Sequence, residues 1–123
     1  MDVSKGYHAH VYFDAATRPT AERVRDTIVA RFAVKAGAFA DEPRGPHPVP
    51  QFNVIFEAPE FQNIVPWLML NREGLNVLVH PLTESNYDDH SAYALWLGTP
   101  VPLRLDRLSR KLPDSLLPNP QRA

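Results

Sequence analysis

The stretch Tyr7-His8-Ala9-His10-Val11-Tyr12-Phe13 decides how the chain is read. It alternates with a period of two, as a β-strand does. Tyr7, Ala9, Val11 and Phe13 point to one side, and His8, His10 and Tyr12 to the other. The first set is what a strand offers to covering helices. The second puts two imidazoles one pleat repeat apart on a face that ordinarily carries Val, Ile or Leu. Histidines there indicate metal coordination or proton transfer.

The elements that follow build around this strand. Ala21, Val24, Ile28 and Phe32 recur at steps of three and four and predict a helix over residues 19–32, with Pro19 in its first turn. Residues 34–39 read as a short edge strand interrupted by Gly37. Pro43, Pro46, Pro48 and Pro50, with Gly45, make residues 41–50 a stiff loop that carries His47. In residues 51–57, Phe52, Val54 and Phe56 form one strand face, while Gln51, Asn53, Ile55 and Glu57 form the other. A second helix is predicted from Asn63, with Pro66 in its first turn, or from near Pro59 with a kink at Pro66. Residues 75–80 form the next strand, with Leu75, Val77 and Val79 opposite Asn76, Leu78 and His80. Residues 83–89 read as a loop, and 91–97 as either a helix or a last strand. Leu103, Leu105, Leu108 and Leu112 alternate with basic residues in a short amphipathic segment. Residues 113–123 read as a loose tail.

The order strand, helix, strand, strand, helix, strand predicts an α+β fold of ferredoxin-like type, a β-α-β-β-α-β sandwich with an antiparallel sheet and a C-terminal extension, in one domain over residues 1–123. The reading puts the first and third strands side by side and parallel. It then gathers His8, His10, Gln51, Asn53 and His80 at one end of the uncovered face, with His47 in the entering loop. Three imidazoles on neighbouring strands can share one ion. His8 is open between ligand and supporting group, because His8 and His10 lie about 7 Å apart at Cβ. Tyr12, Ile55 and Leu78 on that face need a cover, either from the segment Tyr93 to Leu97 or from a second copy of the chain, which makes a homodimer the expectation.

Composition narrows the function classes. The 123 residues carry a net charge of −1, so nucleic acid is not an expected partner. There is no cysteine, which excludes disulfides and thiolate ligands and leaves imidazole and oxygen donors for any metal. No apolar run approaches about 20 residues and no signal-peptide core is visible, so the expectation is a cytoplasmic protein with no membrane association.

Four pieces together resemble the DOPA 4,5-dioxygenase family of small aromatic ring-cleaving dioxygenases. They are His8-Ala9-His10-Val11-Tyr12-Phe13, Gly45-Pro46-His47-Pro48, Val79-His80-Pro81, and Asp89-His90 followed by Ala94-Leu95-Trp96-Leu97-Gly98. The resemblance implies extradiol cleavage of a catechol such as DOPA by O₂ at a non-haem Fe(II), a site that Zn or another divalent metal can also fill. Such chemistry needs open metal positions, a base and an acid. Many non-haem iron sites use two histidines and a carboxylate. Glu57 lies at the far end of its strand and Asp88 and Asp89 have no assigned place, so His8, His10 and His80 are the expected ligands. His47 and His90 are the expected acid–base residues, and Tyr12, Gln51 and Asn53 the expected pocket lining. Trp67 and Trp96 read as packing, and residues 104–111 as a solvated basic face. The alternative is a non-enzymatic ferredoxin-like dimer that binds a small aromatic or a metal in the same cleft.

Overall fold

The computed structural model describes residues 3–109. The predicted segment 110–112 and the tail 113–123 lie outside these. The chain runs β1 (Gly6–Tyr12), α1 (Arg18–Arg31), β2 (Lys35–Ala36), β3 (Gln51–Glu57), α2 (Ala58–Asn71), β4 (Val77–Pro81), α3 (Asn86–Asp89), β5 (Leu95–Leu97) and a 3-10 turn (Leu105–Arg107). The strands form one five-stranded antiparallel sheet in the order β2-β3-β1-β4-β5. The fold is α+β.

Period-two patterning produces the core directly. Ala9, Val11, Phe52, Val54, Val77 and Val79 turn to one side of the sheet and are at most 1% exposed. Ala21, Val24 and Ile28 of α1 pack on them, as do Ile64, Val65 and Leu68 of α2. No described helix is long and apolar enough to cross a membrane.

Several expectations change. β1 and β3 are antiparallel, not parallel. The reason is connectivity. The crossover through α1 returns β2 in the direction of β1, and β3 then reverses against β2 through the loop at residues 37–50. The polar residues are therefore not gathered at one end. His8 lies opposite His80, and Gln51 lies opposite Tyr12 at the other end of β1. The second helix starts at Ala58, with Pro59 in its first turn and Pro66 inside it. Pro66 is tolerated because it is exposed, so water can serve the carbonyl it leaves without a donor. The edge strand shrinks to Lys35–Ala36. Residues 86–89 form a helical turn where a loop is expected, and residues 95–97 resolve as a strand.

The face away from the helices is covered by the chain itself. Ile55, Leu78 and Tyr12 are at most 4% exposed within the single chain. The His47 loop and the segment carrying α3 and His90 bring their histidines onto this face, and Trp96 of β5 stacks on Tyr12.

Candidate functional site

The site is built along β1. Residues directly opposite in an antiparallel pair point to the same side. His8 pairs with Ile55 and His80, His10 with Asn53 and Leu78, and Tyr12 with Gln51. This register puts His8, His10 and His80 on one face without any special loop. The other two histidines need local devices. Arg44 and His47 exchange backbone hydrogen bonds of 3.0 and 2.9 Å around a tight turn. Gly45 takes φ 55° there, a left-handed conformation that favours glycine. The Arg104 amide donates to the Pro46 carbonyl at 2.8 Å and holds the turn against the later chain. For His90 the device is a helix cap. The Ser85 hydroxyl accepts from the Asp88 amide at 3.1 Å and starts α3, whose C-cap is His90.

All five histidines of the sequence meet on this face, each at most 2% exposed. The His10 ring lies 5.1 Å from those of His8 and His80 and 4.2 Å from that of His47, between centroids. The rings of His80 and His90 are 4.1 Å apart. Two groupings place one nitrogen of each member within 4.8 Å of the others. They are His8, His10 and His80, and His10, His47 and His90. His10 belongs to both.

Hydrogen bonds show which nitrogens carry protons. His80 Nδ1 lies 2.8 Å from the Pro81 carbonyl and His90 Nδ1 lies 2.8 Å from the Asn86 carbonyl. A carbonyl only accepts, so both Nδ1 atoms donate. His10 Nδ1 meets Gln51 Oε1 at 3.0 Å and donates likewise. In its neutral form each of these rings therefore presents a lone pair at Nε2. His10 Nε2 and His80 Nε2 stand 3.1 Å apart, lone pair to lone pair. Burial and the neighbouring imidazoles keep both rings neutral, with His10 and His80 held well below the ordinary histidine range. Burial first, then His90, His8 and Arg44, lowers His47 to about 3. Burial pushes the Tyr12 phenol upward, so it keeps its proton.

These features fit a divalent metal. Neutral imidazoles with Nδ1 tied to oxygen acceptors are the usual donor form. Two nitrogens each about 2.1 Å from one ion and at a right angle to each other lie about 3 Å apart, close to the separation seen between His10 and His80. No carboxylate belongs to either grouping among the described residues. Asp89 is buried but accepts from the Thr83 amide at 3.0 Å and the Thr83 hydroxyl at 2.5 Å. Glu57 is exposed.

The expected pocket residues are present on the face, but their polar ends meet histidines. Gln51 holds His10, and the Tyr12 hydroxyl meets His47 Nδ1 at 2.8 Å. Asn53 is 6% exposed and crowds Gly37, where an added Cβ would come within 2.9 Å of its Oδ1. Trp96, read from sequence as packing, stacks on Tyr12 at 5.9 Å and 27°. Its place in a strand opposite Leu78 sets that orientation. The cap that positions His90 had a readable signal in Ser85-Asn86-Tyr87-Asp88, a Ser followed three residues later by an acid.

The family model described as "Dopa 4,5-dioxygenase family" matches residues 7–107, a span that holds all five histidines. A DOPA 4,5-dioxygenase of Amanita muscaria is 34% identical over 116 residues, covering 87% of this chain and 51% of the relative. An uncharacterised 21.2 kDa protein of Botryotinia fuckeliana is 40% identical over 80 residues, covering 58% of this chain and 44% of the relative. The chain thus spans about half the length of the curated relatives it matches. A crystal structure of a candidate dioxygenase from Nostoc punctiforme superposes with a TM-score of 0.83 at 51% identity, covering 84% of this chain and 90% of that one. On the match across residues 7–107, the chain belongs to the Dopa 4,5-dioxygenase family.

Proposed function

We propose that the chain is an extradiol ring-cleaving dioxygenase that opens a catechol with O₂, using Fe(II) held by His8, His10 and His80 on a ferredoxin-like frame. The observation that carries this reading is the 3.1 Å approach of two unprotonated Nε2 atoms inside a closed histidine cluster. Two facing lone pairs repel, and a cation between them removes the repulsion. The family match and the dioxygenase relative support the choice of oxygen chemistry over simple metal storage. The strand order β2-β3-β1-β4, with α1 and α2 on one face, supports the ferredoxin-like frame.

Fe(II), when bound, supplies open positions where a catechol and O₂ can meet. The chain's own residues do the rest. Gln51 and the Pro81 carbonyl hold the rings of His10 and His80 in the donor tautomer. His47 and His90 stand beside His10 and can hold or accept a proton next to a bound catechol oxygen. The sheet, the His47 loop and α3 keep water out, which strengthens every polar interaction inside.

The test is anaerobic reconstitution with Fe(II), followed by DOPA and simpler catechols in an oxygen electrode with the visible spectrum recorded. The expected outcome is oxygen uptake with a new visible chromophore, both abolished when iron is omitted. Iron bound tightly with no uptake for any catechol would instead make this a binding module.

A further inference from the structure

We propose that Tyr12 is a positioning residue that keeps the proton of His47 on Nε2, so that His47 is a hydrogen-bond donor into the cluster and not a metal ligand. This rests on the dioxygenase reading for its catalytic meaning, but not for its hydrogen-bond logic. The groups that meet the Nδ1 atoms of His10, His80 and His90 are oxygen acceptors without a proton. His47 differs, since its Nδ1 meets a hydroxyl, which can donate as well as accept.

Counting orphaned groups decides the direction. Tyr12 is 4% exposed, and its hydroxyl makes no other hydrogen bond among the described residues. Suppose His47 Nδ1–H donated to the phenol oxygen. The Tyr12 proton would then lack an acceptor, and the buried His47 Nε2 would present a bare lone pair with no partner among the described residues. Now let Tyr12 donate to Nδ1. The phenol is satisfied and one orphan is left, the His47 Nε2–H. Each buried polar group without a partner costs about 1–3 kcal/mol, so the second arrangement wins. The phenol is held for this bond by the stack against Trp96 and by its strand position opposite Gln51.

The consequence separates the two overlapping histidine groupings. His10, His47 and His90 cannot act as a ligand set while His47 aims a proton, rather than a lone pair, at the shared space. The metal then belongs to His8, His10 and His80. His47, with its ring 4.2 Å from His10, is left to donate to an oxygen of whatever binds beside the ion.

The experiment uses Tyr12→Phe, which keeps the ring stacked on Trp96 and removes only the hydroxyl, and His47→Gln beside it. In the ¹⁵N-labelled metal-free protein, long-range ¹H–¹⁵N spectra should show His47 as the Nε2–H tautomer, and Tyr12→Phe should erode that preference. In Co(II) titrations both variants should keep close to wild-type affinity, whereas His10→Ala, which removes a member of both groupings, should lose Co(II) binding. In turnover with Fe(II), Tyr12→Phe should lower kcat and leave KM close to wild type. A His47 that is Nδ1–H in the wild type, or a His47→Gln variant that loses Co(II) binding, overturns the proposal. If Tyr12→Phe does not fold, the wild-type spectrum and His47→Gln still decide. If the wild type binds no Co(II), the dioxygenase reading falls, while the tautomer measurement still judges Tyr12.

Discussion

The sheet has two faces, and both are closed to solvent. On the helix side, Phe52 and Val77 are 0% exposed. On the other side, so are His8 and His80. What differs is how each face tolerates its burial. The apolar face gains from every contact and has nothing to satisfy. The histidine face removes five imidazoles from water, and a buried polar group without compensation is costly. Compensation comes for the Nδ1 atoms of His10, His80 and His90. At the center of the cluster, two Nε2 lone pairs are left facing each other. A face selected for stability alone would carry aliphatic residues there. One face therefore holds the fold, and the other spends stability on a site.

The sharpest way to break this comparison is to mutate both faces and read both properties. His10→Ala should abolish Fe(II) or Co(II) binding, because His10 belongs to both groupings, and should leave the fold intact. Phe52→Ala should lower unfolding free energy by about 3–5 kcal/mol and leave metal affinity of the folded fraction unchanged. Urea melts and metal titrations on the two variants check this. Equal loss of stability in both would mean the histidine face is simply core.

The next effect is pH. His10, His47 and His80 stay neutral in the folded protein, and they take up protons near 6.5 once unfolded. Below 6.5 the unfolded chain binds more protons, so stability of the metal-free protein falls as pH falls. For His47 the loss continues down to about 3. Each such group contributes a slope of up to about 1.4 kcal/mol per pH unit. Urea midpoints at pH 8, 7, 6 and 5 should be flat between the first two and then drop. A flat response throughout would show that the histidines are hydrated.

The smallest effect tests the support of the histidine face. Ser85→Ala removes the cap of α3 and should cost about 1 kcal/mol. Turnover should fall with it if His90 needs α3 for its place, and unchanged turnover would show that His90 keeps its place without the cap.

Much of this was legible in the chain. The alternation in residues 7–13 and 51–57 carries both faces, because a strand's period of two sorts side chains without reference to anything else. That sorting already grouped His8, His10, Tyr12, Gln51, Asn53 and His80. Strand direction was not legible from alternation, which reads the same both ways. It follows from the reversal between β2 and β3, and it moves Gln51 from the side of His8 to the side of Tyr12. The position of His90 depended on a single cap at Ser85, a local signal inside a polar stretch that otherwise reads as loop. The use of Gln51 and Tyr12 as partners of imidazole nitrogens depends on distances of 3.0 and 2.8 Å, which no periodicity encodes.

The donor set has a consequence for charge. The grouping of His8, His10 and His80 consists of nitrogen donors alone, and the buried Asp89 is engaged by Thr83. A divalent ion held there by neutral imidazoles would keep its full double charge among buried side chains. Such a charge calls for a counter-ion, and no carboxylate among the described residues belongs to the grouping. An anion that enters with the ion, such as an ionised catechol, then becomes part of what makes the ion stable there. Metal and anion occupancy are thereby thermodynamically linked, each tightening the other by the same factor.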